Sequence, residues 1–179
     1  MNQWSNTVLT DKGRTLLSKT TQGNTISITR AETGAGFVTP GLLSKQQKVT
    51  ETKQTLEFRP VTYPETGKCA ITVTLTNAGL TSGYEALQVG LYAADPDEGE
   101  ILLFISQASS SDSGTIVPSE AEMPGYSAEW TFYLQYLQAN GVNVTVDPAG
   151  AVSREEMKKY LNDEIVPISN DQIEAILAN

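Results

Sequence analysis

The chain has 179 residues, 39% of them hydrophobic, with 12 Lys and Arg against 21 Asp and Glu, no histidine and a formal net charge of -9. That length suits one domain of ordinary size, or one domain with an appendage. The acidic balance argues against nucleic acid as a partner, no run nears the ~18 apolar residues of a membrane span, and the missing histidines remove every Ser-His-Asp, Cys-His and His-ligated metal arrangement.

Taken in chain order, Thr10 before Asp11 to Lys19 reads as an N-cap opening a short helix, with Leu9, Leu16 and Leu17 free to pack inward and Gly13 weakening it. A turn at Gln22-Gly-Asn24 leads to a strand from Thr25 to Ala31. The glycine pair of Thr33-Gly-Ala-Gly36 lacks the Gly-Lys-Ser/Thr ending of a phosphate loop and reads instead as a turn or a close backbone crossing. Residues 37–55 are polar and read as a loop or a short helix around Leu42 to Val49. Strands follow at Leu56 to Tyr63 and Lys68 to Asn77; in the second, Cys69, Ile71, Val73 and Leu75 face one way and Thr72, Thr74 and Thr76 the other.

Leu87 to Gln107 reads as a long hairpin. Leu87, Val89 and Leu91 alternate with Gln88, Gly90 and Tyr92, as in a strand with one face on a core, whereas Ile101 to Ile105 is apolar enough to be covered on both faces. At the junction Asp95-Pro-Asp-Glu-Gly99, Asp95 can bond the backbone ahead and Gly99 tolerates a positive φ. Ala108 to Gly125 reads as a mobile surface loop. Ser127 to Gln138 alternates Trp130, Phe132, Leu134 and Tyr136 with Thr131, Tyr133, Gln135 and Leu137, and Asn140-Gly141 predicts a turn into Val142, Val144 and Val146 that closes a second hairpin. Roughly seven strands without intervening helices predict an antiparallel β-sandwich over 1–150 and exclude a parallel sheet. Ser153-x-x-Glu156 and Ser169-x-x-Gln172 are capping boxes, so 151–179 is expected to add two short helices with apolar faces at Met157, Tyr160, Leu161, Ile173, Ile176 and Leu177. Helices that short need a surface to dock on.

Charge is segregated along the chain. Residues 1–68 hold nine basic and five acidic side chains, while from Cys69 through Ser153 there are ten acids and no Lys or Arg. This is a solvated acidic surface, or a basic N-terminal face made to meet an acidic face of a neighbouring copy.

Little chemistry is offered by these residues. Cys69 sits in an alternating strand and reads as a small core residue. Asp95, Asp97, Glu98 and Glu100 are the candidates for a carboxylate pair, which would need two acids held ~5 to 9.5 Å apart, or for a calcium loop, whose remaining ligands are missing. On a hairpin tip they read more simply as solvated charges. Trp130, Phe132, Tyr133 and Tyr136 have the period-two spacing of a core strand rather than a sugar platform. A carbohydrate-binding or adhesion module, the alternative reading, would line one exposed face with Tyr84, Tyr92 or Tyr133. Asn143-Val-Thr145 is a formal glycosylation sequon in a predicted strand and carries no weight. No cofactor and no metal are expected.

The opening Trp4-Ser-Asn-Thr-Val-Leu-Thr-Asp-Lys-Gly-Arg14, with Leu16-Leu-Ser-Lys19, Ile26-Ser-Ile-Thr-Arg30 and Thr33-Gly-Ala-Gly36, resembles the N-terminal domain of phage tail-fibre and baseplate-associated proteins. Val89-Gly-Leu-Tyr-Ala93, Asp95-Pro-Asp97 and Gly99-Glu-Ile-Leu102 are similar to the central strand pair of that family. Val144-Thr-Val-Asp-Pro148 and Ile168-Ser-Asn-Asp-Gln-Ile173 are similar to the ends of short tail proteins from phages and prophages of Gram-positive bacteria. The resemblance implies a non-enzymatic structural subunit of a virion tail, homo-oligomeric and in contact with other tail or baseplate proteins, without nucleic-acid binding or membrane insertion. It would be found in the virion tail, or in the bacterial cytoplasm before assembly, since the N-terminus lacks the layout of a secretory signal. The chain departs from the long-fibre pattern in carrying no repetitive shaft, which favours an adaptor or baseplate component. Trp4, Arg14, Met157, Tyr160, Ile173, Ile176 and Leu177 are the candidate assembly contacts.

Overall fold

A computed structural model of the chain describes residues 4, 6–19, 26–65, 67–135 and 144–146. The chain divides into two units, Met1–Asp147 and Pro148–Asn179. The helices expected over 151–179, with Met157, Tyr160, Ile173, Ile176 and Leu177, lie outside the described residues, as do Tyr136 and the Asn140-Gly141 turn.

The fold is mainly β. In chain order the elements are β1 (Asn6–Leu9), α1 (Asp11–Lys19), β2 (Ile26–Gly34), a 3-10 helix (Pro40–Lys45), β3 (Thr52–Thr55), β4 (Glu57–Phe58), β5 (Thr62–Glu65), β6 (Lys68–Thr76), β7 (Tyr84–Ala86), β8 (Gln88–Asp95), β9 (Gly99–Gln107), β10 (Thr115–Val117), β11 (Ser127–Gln135) and β12 (Val144–Val146). One sheet runs β1-β9-β8-β2-β12, with β3 also on β2. A second runs β11-β6-β4, with β5 also on β6, and β10 pairs with β7.

Helix α1 forms where its cap predicts. Thr10 Oγ1 accepts the Gly13 N–H at 2.9 Å and donates to the Leu102 carbonyl, while Asp11 in the first turn and Lys19 in the last oppose the helix dipole. Gly13 answers a packing demand, because a Cβ there would lie 2.5 Å from the Leu103 carbonyl oxygen of β9. The glycine pair is a close backbone crossing. The Ala35 and Gly36 N–H groups donate to the carbonyls of Glu51 and Thr50, both at 3.0 Å.

Period-two burial builds the core. Cys69, Ile71, Val73 and Leu75 of β6 and Trp130, Phe132 and Leu134 of β11 turn inward, and join Ile26, Ile28, Val89, Leu91 and Leu103 from the first sheet in one buried cluster. The opposite face of β8 and β9 is covered as well, by a second cluster of Leu43, Val49, Tyr92, Leu102 and Ile105. The expectation that β8 has only one buried face is therefore corrected. Gln88, Gly90 and Tyr92 are as buried as Val89 and Leu91, because the chain from Val38 to Thr50 folds over them.

Three further expectations change. Val144–Val146 does not return along β11 but joins β2 in the first sheet, and does so in parallel, so the described pairing is antiparallel except at that edge. The polar stretch 37–55 ends in a strand, β3. Ala108 to Gly125 contains β10, and Ala108, Gly114, Val117 and Ser119 within it are buried.

Candidate functional site

The acidic hairpin tip is built around Asp95, which is only 4% exposed. Its Oδ1 accepts the N–H groups of Asp97 at 2.8 Å and Glu98 at 3.2 Å, which locks the turn, and Gly99 takes the positive φ of 79° that closes it. The same carboxylate receives the Lys19 ammonium at 2.8 and 2.9 Å, and Lys19 also reaches Asp97 at 2.8 Å. Lys12 pairs with Glu98. On the neighbouring strand, Arg30 binds both Glu100 and Glu32 and lies over the Tyr92 ring, 3.8 Å from its centre.

All four tip carboxylates therefore face a cation from α1 or β2 of the same chain. This is where the basic N-terminal segment and the acidic middle of the sequence meet. Lys19, held first by its bond to Asp95 and then by that to Asp97, is pushed up to about 12. Asp95 is held below the usual carboxylate range, by Lys19 above all and then by the two turn N–H groups, against the opposing effect of burial. A general acid or base needs a proton it can give or take near neutrality, and these contacts move Asp95 away from that. Among the described residues no three His, Cys, Asp or Glu side chains are grouped to hold a metal ion.

The aromatic candidates are scattered. Tyr92 is 2% exposed, its hydroxyl accepting the Val49 N–H at 3.1 Å, and burial pushes it up to about 12. Tyr84 is half-buried, donating to Gln54 Oε1 at 2.8 Å and bonded to the Thr33 hydroxyl at 2.8 Å. Trp130 and Phe132 are core residues. Among the described residues of this group only Tyr133 is largely exposed, at 57%, with the Lys68 ammonium 4.7 Å from its ring centre. Cys69 is buried, and its burial raises the thiol above its ordinary value.

Of the two described assembly candidates, Arg14 is exposed at the start of α1, donating to the Leu9 carbonyl at 3.2 Å beside Asp11. Trp4 is half-buried. Its ring meets Trp130 edge to face at 5.3 Å between centres, and its Nε1 donates to Thr115 Oγ1 at 2.9 Å. Trp4 stands at one wall of an open groove of about 330 Å³, lined also by Thr7, Ser106, Ala128, Trp130 and Thr131. β1 and β11, each the edge strand of its sheet among the described residues, thus flank one groove.

Two features escape a reading of the residues alone. The buried amides of Gln88 and Gln107, with the half-buried Gln46, tie the segment over the second face, and the β11 edge borders the groove. The first left a trace, since no charged residue occurs from Leu87 to Ala94, as in strands buried on both faces. The second depends on which strands pair, which local pattern does not state. No family model, no curated protein and no solved structure matches the chain.

Proposed function

We propose that this chain is a structural subunit of a phage or prophage-derived tail, a fibre-attachment or baseplate component that acts through protein–protein assembly and not as an enzyme. The two main sheets, sharing one core, are read as an antiparallel β-sandwich that presents its edges to neighbouring subunits. The observation that carries the reading is the Lys12, Lys19 and Arg30 pairing to the hairpin acids. Two of the segments that resemble tail proteins, 4–36 and 89–102, are far apart in sequence, yet their described residues are joined by these ion pairs, and the acids that offered the best catalytic set serve to hold them together. The carbohydrate-binding alternative loses support because Tyr92 is buried, Tyr84 is half-buried, and both hydroxyls are engaged in hydrogen bonds within the chain.

Light scattering of the full chain over a range of concentrations tests the reading. A defined oligomer is expected, weakened by removing 151–179 while the β body stays folded by circular dichroism. A monomer at every concentration that fails to enter tail particles when co-expressed with neighbouring tail genes overturns it, and glycan retention by that monomer would turn the reading to the alternative.

A further inference from the structure

We propose that β11 is a self-pairing edge, through which two copies of this chain join antiparallel, β11 to β11, about a two-fold axis at Thr131. The inference rests on the assembly reading only in treating association as the chain's business; it does not depend on a phage origin.

The direction of the free backbone groups follows from one bond. The Arg59 N–H donates to the Thr72 carbonyl at 2.9 Å, on the β4 side of β6. In an antiparallel strand the N–H and C=O of one residue point to the same side, so Thr72 spends both on that side. Thr72 stands opposite Thr131. The pair is thus a non-hydrogen-bonded one, and the N–H and C=O of Thr131 point away from β6. Alternation gives the same direction to Ser127, Glu129, Tyr133 and Gln135. The Asn77 N–H bond to the Tyr126 carbonyl, at 3.2 Å, fits the complementary even-numbered set.

Among the described residues this edge is unguarded. β11 runs nine residues with no proline, no lysine and an unbroken register against β6, and among the described residues it pairs with no other strand. Other edge strands among the described residues carry the usual protective devices: β1 has four residues, β3 four including Lys53, β4 two, and β5 four including Pro64. A long bare edge beside an open groove is a template for another strand.

The sequence of β11 fits a copy of itself. With Thr131 opposite Thr131 of the second copy, Glu129 meets Tyr133 and Ser127 meets Gln135, all as hydrogen-bonded pairs, giving about ten main-chain bonds. Trp130 falls opposite Phe132 and Ala128 opposite Leu134, so the inner faces continue across the axis. The one charge on the strand, Glu129, is already neutralised by Arg59, and no like charges oppose each other.

Two variants of the full chain test this. Thr131→Pro deletes an N–H that β6 does not use and is compatible with an edge strand; it is expected to leave the fold intact by circular dichroism and to raise the dimer dissociation constant about tenfold or more in sedimentation equilibrium. Thr131→Cys places two thiols at Cα positions about 5.5 Å apart, within disulfide reach, whereas Gln135→Cys does not. Selective oxidative dimer formation by Thr131→Cys is expected. A chain monomeric at all concentrations, or cross-linking no faster at 131 than at 135, overturns the proposal. An oligomer that persists unchanged in Thr131→Pro also overturns it, but leaves assembly through another surface standing.

Discussion

Gln88 of β8 and Gln107 of β9 stand directly opposite each other, and Gln88 Nε2 donates to Gln107 Oε1 at 2.7 Å with neither residue exposed. Between them they replace a strand ladder. Gln107 accepts the Val38 N–H at 3.0 Å and donates to the Val38 carbonyl at 2.8 Å, while Gln88 accepts the Thr50 N–H at 2.8 Å. A segment without regular pairing is thereby fixed over the second face of the sheet, and its buried polar groups are satisfied by side chains.

Replacing Gln107 by Leu keeps the volume and apolar contact but strands both polar groups of Val38 and one amide of Gln88. The expected cost is about 2–4 kcal/mol, since each unsatisfied buried group costs roughly 1–3. Urea unfolding gives the magnitude. Hydrogen exchange should accelerate at Val38 and Thr50 well before the β6 and β11 amides; uniform acceleration would mean that the amides do not specifically hold this segment.

How far the sequence carries depends on how local each signal is. Helix α1 and strand β6 were legible because their information is contained in a few neighbours, a Thr10 cap in one and Cys69, Ile71, Val73 and Leu75 at period two in the other. β3 was not, since Thr52–Thr55 is polar, lies at an edge and has no apolar face to alternate. Asn140-Gly141 signalled a reversal, yet whether Val144–Val146 pairs with β11 or β2 is decided by the whole fold, and β2 takes it. The candidate site divides the same way. The Asp95 turn could be read from its residues, but its cation, Lys19, lies 76 positions away.

Asp95 makes the fold sensitive to acid. Its carboxyl titrates lower in the folded chain than unfolded, chiefly through Lys19, so in the acid range the native state binds fewer protons than the unfolded chain. The stability this group contributes is complete above its unfolded value near ~3.9 and is lost as pH drops through the depressed folded value. Lys19, raised to about 12, keeps the pair charged until strongly alkaline conditions. Asp95→Asn should lower the urea midpoint at about pH 7, and the gap from the parent chain should narrow towards about pH 3. A gap that stays constant with pH would show that the turn hydrogen bonds, and not the charge pair, carry the effect.

Asn77 anchors the segment before β11. Its Nδ2 faces three carbonyls, of Pro118 at 3.1 Å, Ser119 at 3.2 Å and Met123 at 2.8 Å, from a residue only 1% exposed. Its Oδ1 has no partner among the described residues, where the gain comes from the donor side alone. Asn77→Ala is expected to cost about 1–3 kcal/mol by leaving those carbonyls without their donor. Proteolysis should then cut first within 118–126. Asn77→Asp, which exchanges the donor for a charge facing the same carbonyls, should be worse than Ala; equal loss from the two would argue that only packing is at stake.

Gly34 marks where β2 and the chain around Thr50 come closest. A Cβ on Gly34 would sit 2.3 Å from the Thr50 carbonyl oxygen and 3.3 Å from Val49 Cβ, and the neighbouring Ala35 and Gly36 N–H bonds leave that backbone no room to retreat. Gly34→Ala is therefore expected to destabilise the fold by about 1–3 kcal/mol through overpacking. Gly41 supplies the control, because a Cβ there meets nothing within 4 Å; Gly41→Ala should change stability by less than about 0.5 kcal/mol. Denaturant midpoints of the two variants decide the matter. Similar losses would mean that the close approach to Thr50 is not what position 34 needs a glycine for.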